Sequence, residues 1–205
     1  IEVTMAYPTV SAPYGLKPVN LIGGQVFAGA TRQFQIASGY ATSIFNGDAV
    51  LLVTSGTIEK DTGTTTATPV GVFLGCSYVN AQGQTIYQQY FPASTTAPTG
   101  TVITAYVADD PDTLFKVAVV SGTTVIAGVG RAVIGSNMSL VQNAGSTTTG
   151  DSKVAVLSSS AATTNTLPIR VVDVVPDTAT GADTYVELIV KWNWGMHQYQ
   201  NATGV

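Results

Sequence analysis

Charge is what this sequence has least of. Lys, Arg, Asp and Glu make up 10% of its 205 residues, against roughly a quarter in an ordinary globular protein. The eight basic residues are scattered singly. No basic stripe exists from which phosphates could displace counterions, so a nucleic-acid partner is not expected. No stretch approaches the length of uninterrupted apolar sequence that a membrane helix needs, so no membrane partner is expected either. Ile1–Val10 lacks a basic region followed by an apolar one and does not read as a signal peptide; Met5 stands where a natural start is expected.

Reactive side chains are as scarce as charge. The single cysteine, Cys76, excludes an intrachain disulfide. It follows the apolar run PVGVFLG and reads as a small buried hydrophobe rather than a thiolate. The single histidine, His197, lies in a polar tail and reads as solvated. A Ser-His-Asp site would need it, and the Gly-x-Ser-x-Gly elbow is missing. Zinc has no usable ligand set. Asp109, Asp110 and Asp112 form a DDPD cluster, but without the calcium-loop spacing, and Pro111 fits the second position of a type I turn. Gly128 and Gly130 form a Gly-x-Gly pair with no helix after it. No catalytic residue, metal site or cofactor is expected.

What the chain does have is Thr, Ser, Asn, Gln and Gly around an ordinary hydrophobic content of 45%. Short runs rich in Val, Ile, Thr, Tyr and Phe recur between GG, SG, NG, GT and PD breaks, and helical spacing is nowhere sustained. The one weak helical stretch is Ser158–Thr164. The expected class is all-β, a β-barrel or β-sandwich with an extended N-terminal arm. Two segments, LLVTSGTIEK at 51–60 and AVVSGTTVIAG at 118–128, each read as strand, turn and strand. The expected organisation is an arm at 1–18, an all-β domain at 19–199 with a soft break near 143–151, and a tail at 200–205.

Aromatic residues mark the candidate contacts. Pro8, Pro13 and Pro18 hold the arm extended, and Tyr7 and Tyr14 give it something to bury. Two readings of the arm stay open: it folds onto its own body, or it reaches a neighbour and adds to a sheet edge. In Thr184–Trp194 the residues Val186, Leu188, Val190, Trp192 and Trp194 alternate onto one apolar face. Both tryptophans are therefore expected against a core or an interface. The interaction residues expected from the sequence are Tyr7, Pro8, Pro13, Tyr14, Trp192 and Trp194. A Trp pair also leaves open an adhesive sandwich that stacks on sugars.

Four phrases carry a resemblance. Residues 5–48 (MAYPTVSAPYG through IFNGD), 56–78 (GTIEKDTGTTTATPVGVFLGCSY), 105–117 (AYVADDPDTLFKV) and 190–195 (VKWNWG) together resemble virion proteins of tailed bacteriophages, especially marine phages of cyanobacteria. Within them, Gly47, Asp48, Val50, Pro69, Gly71 and Val72 stand where lambda-type decoration proteins carry a Gly-Asp-x-Val strand and a Pro-Val-Gly-Val strand. The resemblance implies a non-enzymatic head decoration or cement protein with a tulip-like or jelly-roll-like fold. It also implies homotrimers bound to the major capsid protein on the outer surface of the virion. Another virion part, such as a tail or fibre subunit, is the nearest alternative. A long charged spine helix, the mark of the usual tailed-phage capsid protein itself, is not in the sequence.

Overall fold

A computed structural model describes residues 10–205; Tyr7 and Pro8 lie outside the described residues. The described chain is all-β, with only single turns of 3-10 helix, one of them at Ser158–Ser160 inside the weak helical stretch. Its strands fall into two main sheets. The first holds β2 (Arg32–Ile36), β3 (Ala49–Leu52), β4 (Ile58–Lys60), β5 (Gly71–Val79), β6 (Thr85–Gln88) and β7 (Ile103–Ala108). Their order is β2-β7-β5-β3-β4, and β6 shares the edge of β5 with β3. The end strands β2 and β4 approach each other, so this sheet curls nearly into a barrel. Inside lie Ile44, Val50, Ile58, Phe73, Phe91 and Ile103.

The second sheet is built on β8 (Thr113–Val120). One edge of β8 pairs antiparallel with β15 (Glu187–Trp192). The other edge is shared: β1 (Lys17–Leu21) takes the first half, antiparallel, and β11 (Ala155–Leu157) takes the last residues, parallel. The sheet continues through β12 (Ile169–Val174) to β9 (Asn137–Met138) on one side and to β10 (Leu140–Val141) on the other. A separate ribbon joins β13 (Ala179–Gly181) and β14 (Thr184–Tyr185). Phe115, Val117, Leu188, Val190 and Trp192 form the centre of its core, which Ala49, Val72 and Ala108 of the first sheet complete. The two cores therefore meet.

Local chemistry explains the breaks. The chain crosses between sheets at Asp109–Asp112, where Thr113 N–H donates to the Asp110 carbonyl across a turn with Pro111 in its second position. Proline presets the φ that this position needs. Residues 143–151 lie between β10 and β11, and Asp151 there bridges to Asn46, which lies just before β3. Both strand-turn-strand echoes form hairpins, one as β3–β4 and the other through the Val120–Ile126 bridge. The Thr-rich stretch after β4 is a folded loop. Buried Asp61 accepts from Gly63 N–H at 2.8 Å and Thr68 N–H at 2.9 Å, which closes the loop around its carboxylate. Burial raises the Asp61 pKa, and those two hydrogen bonds oppose the rise. The loop's own carbonyls then reach the second sheet: Thr64 accepts from Leu140 N–H and Gly63 from the Gln142 side chain.

Candidate functional site

The Gly47-Asp48 pair is the junction of the molecule. Asp48 is 0% exposed. One carboxylate oxygen accepts from Ser152 Oγ at 2.6 Å, and the other accepts from Phe45 N–H at 2.9 Å and lies 3.0 Å from Lys60 Nζ. Lys60 belongs to β4 of the first sheet, Phe45 precedes β3, and Ser152 lies in the segment that leads into β11 of the second. Gly47, at φ +96°, leaves no space for a side chain, since a Cβ would lie 3.0 Å from Leu16 N and 3.1 Å from Gly15 Cα. The arm is pinned there: Leu16 N–H donates to the Gly47 carbonyl at 3.0 Å and Gly15 N–H to Val154 at 3.2 Å. A desolvated carboxylate with both oxygens engaged by the chain around it acts as scaffolding.

The described part of the arm folds onto its own body. Pro13 and Leu16 are buried, and Tyr14 is half-buried. The Tyr14 hydroxyl donates to Glu187, which also sits 3.3 Å from Lys116 Nζ. Burial, then the Glu187 hydrogen bond and charge, push the Tyr14 phenol well above its usual pKa, so it stays a donor. Glu187 lies on the side of β15 opposite its apolar face, and the arm covers it there. A groove of about 410 Å³ lies beside this contact, lined by Val10, Tyr14, Lys116, Val175, Thr178 and Glu187.

The tryptophans separate. Trp192 is 2% exposed and packs against Phe115, with ring centroids 5.8 Å apart. Trp194 is 78% exposed. The expectation of one apolar face carrying both is corrected here because β15 ends at Trp192. Buried Asn193 interrupts it: its N–H donates to Pro168, its side-chain amide donates to Asn165 and Leu167, and its oxygen accepts from Arg170. A tight turn then closes from Met196 N–H to the Asn193 carbonyl, with Gly195 at φ +79° in its third position. Trp194 rides the tip of that turn, presented to solvent.

His197 also departs from expectation. It is 1% exposed rather than solvated, because the tail folds back over the first sheet. Gln198 N–H donates to Pro69, and the Gln198 side chain pairs with both the N–H and the carbonyl of Leu52. His197 Nε2 lies 3.0 Å from the Asp109 carbonyl, which only accepts, so Nε2 carries the proton. Nδ1 has no partner of hydrogen-bonding geometry. Burial lowers the His197 pKa; the Val70 and Asp109 carbonyls and the Asp109 and Asp110 carboxylates oppose that. The folded chain therefore takes up this proton less readily than the unfolded chain. Stability is expected to fall as pH drops through about 6.5, the unfolded value, and to level off once the lowered folded value is passed. Urea midpoints between pH 7.5 and 5 check this. The histidine-specific part of the loss should vanish in His197→Gln, and an identical pH slope in that variant would refute it.

The remaining candidates are accounted for. Cys76 is buried and free, its Sγ donates to the Tyr90 carbonyl, and burial raises its thiol to about 12, so it remains protonated. The three aspartates of the DDPD turn do not converge. Asp109 faces Arg32 Nε at 2.9 Å, Asp110 accepts from Asp112 N–H, and Asp112 pairs with Lys191.

Low charge in the sequence implies a neutral, hydroxyl-rich surface, but sequence reasoning did not place it in the fold. Residues 62–108 contain no Asp, Glu, Lys, Arg or His, and they supply β5, β6 and β7. Register carries one outward row across four strands: Gln35 faces Thr104, Thr104 faces Ser77, and Ser77 faces Tyr87. Ser77 Oγ and the Tyr106 hydroxyl are 3.1 Å apart on the same face. Tyr87 is 73% exposed. The face is thus built of amides, hydroxyls and phenols. The charge gap in the sequence is the signal that could have found it.

No family model, curated protein or solved structure matches this chain. The functional reading therefore rests on the residues and their geometry.

Proposed function

We propose that the protein is a non-enzymatic structural component of a phage particle, a decoration protein that binds the outside of the head and holds neighbouring capsomers together. One observation carries the reading: the uncharged outer face of the first sheet, continuous from Gln35 to Tyr87. Such a face repels neighbouring copies weakly and tolerates dense packing on a shell. The polar groups that are buried serve the scaffold, as at Asp48, Asp61 and Glu187. The phrases resembling phage virion proteins point the same way. Attachment of this kind draws on spread contact, where each buried Val, Leu or Phe contributes roughly 1.5–3 kcal/mol, multiplied by the number of copies engaged.

The test is reconstitution. Heads lacking the protein, incubated with the purified chain, should carry it through sedimentation and should break open at a higher temperature. A chain left entirely in the supernatant would sink the reading.

Trp194 favours a second reading, an adhesive module that stacks on sugars. Specific glycan binding abolished by Trp194→Ala would replace the first reading with this one. Trp192, being buried, no longer supports it.

A further inference from the structure

The hairpin of β5 and β6 carries an open edge. β6 pairs with β5 alone, in the register Cys76–Gln88, Ser77–Tyr87, Tyr78–Ile86 and Val79–Thr85. Asn80 N–H donates to the Gln84 carbonyl at the hairpin end. Antiparallel ladders alternate bonded and non-bonded pairs, so Gln84, Ile86 and Gln88 turn their backbone groups toward β5. Thr85 and Tyr87 turn theirs outward. Among the described residues neither amide has a partner, and both side chains are exposed.

Natural edge strands are usually protected by lysine, proline, a bulge or a covering loop. β6 reads Thr-Ile-Tyr-Gln, with no charge and no proline, and its pairing with β5 has no bulge. The strand is β-branched and aromatic, which suits pairing.

We infer that β6 pairs antiparallel with β6 of a second copy of this chain, about a two-fold axis at Ile86. A second copy is the occupant the chemistry selects. A charged strand needs a partner of opposite charge, whereas the uncharged β6 turns a donor and an acceptor outward at both Thr85 and Tyr87, so antiparallel to its own copy this edge is complementary to itself. In the two-fold register Thr85 lies opposite Tyr87 of the partner copy, and each pair exchanges both backbone bonds, about four in all. The same register sets an aromatic side chain beside a β-branched one twice, a favourable cross-strand combination. The outer rows of the two sheets then become one continuous face. A two-fold contact cannot build a trimer; in a trimeric assembly it joins one trimer to the next. The inference rests on the proposed function only for its purpose, since the pairing itself requires no shell.

The experiment combines sedimentation velocity with amide hydrogen exchange on the full chain, from micromolar to near-millimolar concentration. The expected result is a concentration-dependent doubling of mass together with growing protection of the Thr85 and Tyr87 amides. Both should be insensitive to 0.5 M salt, because no charge takes part. Tyr87→Pro removes an outward donor without touching the β5 ladder and should abolish the doubling; Thr85→Lys places a charge on the seam and should weaken it at least tenfold. Should Tyr87→Pro fail to fold, Thr85→Lys and the wild-type exchange data decide. Unchanged mass and exchange across the range, dissociation by salt, or doubling that survives both substitutions would each overturn the inference. Reconstitution on heads is scored separately: a chain that pairs through β6 but stays off heads keeps this inference and loses the decoration reading.

Discussion

Replacing Asp48 by alanine is expected to destabilise the protein by about 3–5 kcal/mol, the cost of removing one partner from a buried ion pair. The carboxylate has no exposure, and Lys60 beside it keeps only 9% of its side chain in contact with water. Alanine leaves that ammonium uncompensated, strands Ser152 Oγ, and frees the Phe45 N–H. Each lost partner adds a desolvation cost that no water can repay at full burial. Against a typical total stability of about 5–15 kcal/mol, the loss is large. For a chain of this length it corresponds to a fall in melting temperature of roughly 6–20 °C. Urea unfolding should show a lower midpoint with an unchanged slope, as expected when stability alone has changed.

The origin of the loss can be separated. If the stranded ammonium dominates, adding Lys60→Met to Asp48→Ala should recover part of it, because the buried site then no longer holds an unpaired ion. If the lost bonds to Ser152 and Phe45 dominate, the double variant stays as weak as the single. An Asp48→Ala protein within about 1 kcal/mol of the parent would mean that the two sheets are held without this carboxylate.

Asp48 also marks the limit of what could be read from the chain. The all-β class follows from physics local to each segment. Runs of Val, Ile, Thr and Tyr between glycine-rich breaks suit a pleated, half-buried surface, and most of them become strands, although the run at 131–135 forms a single 3-10 turn instead. Alternation in β15 correctly puts Leu188, Val190 and Trp192 in the core. It places Glu187 on the opposite face and carries no sign that Tyr14, 173 residues away in sequence, covers it there. Periodicity describes which face of a strand a residue occupies; it carries no information on whether a distant segment lies over that face.

His197 and Trp194 fail for a related reason. The polar neighbours of the tail suggest solvation, yet those same polar groups dock it: the Gln198 side chain accepts from Leu52 N–H and donates to the Leu52 carbonyl, and Gln198 N–H donates to Pro69. The Trp-Asn-Trp-Gly segment continues the strand pattern by composition, and only the glycine at φ +79° shows that the chain has already turned. The uncharged outer face was legible throughout, as an interval without charge. Its place in the fold was not, because only the pairing of strands distant in sequence sets Gln35, Thr104, Ser77 and Tyr87 in one row.

The two tryptophans offer the cleanest comparison, since chemistry is held constant and only position differs. Trp192→Ala is expected to cost about 3–5 kcal/mol, the range for truncating a large aromatic in a packed core. It removes the ring that meets Phe115 at 5.8 Å and opens the second core where β8, β15 and β12 converge. Its indole Nε1 is buried without a partner, so Trp192→Phe should cost far less, below about 2 kcal/mol. Phenylalanine gives up volume but also removes an unsatisfied donor. Trp194→Ala should change stability by no more than about 0.5 kcal/mol, because the ring touches little in the free chain. What it should change is association. A large rigid aromatic held at a turn tip is a natural anchor for a partner's pocket. In the reconstitution assay Trp194→Ala is therefore expected to lower occupancy of heads while its unfolding midpoint stays at the parent value. Equal stability losses in the two alanine variants would show that Trp194 packs within the chain. Parent-level stability with parent-level occupancy would remove it from the contact and leave the uncharged sheet face as the whole of the binding surface.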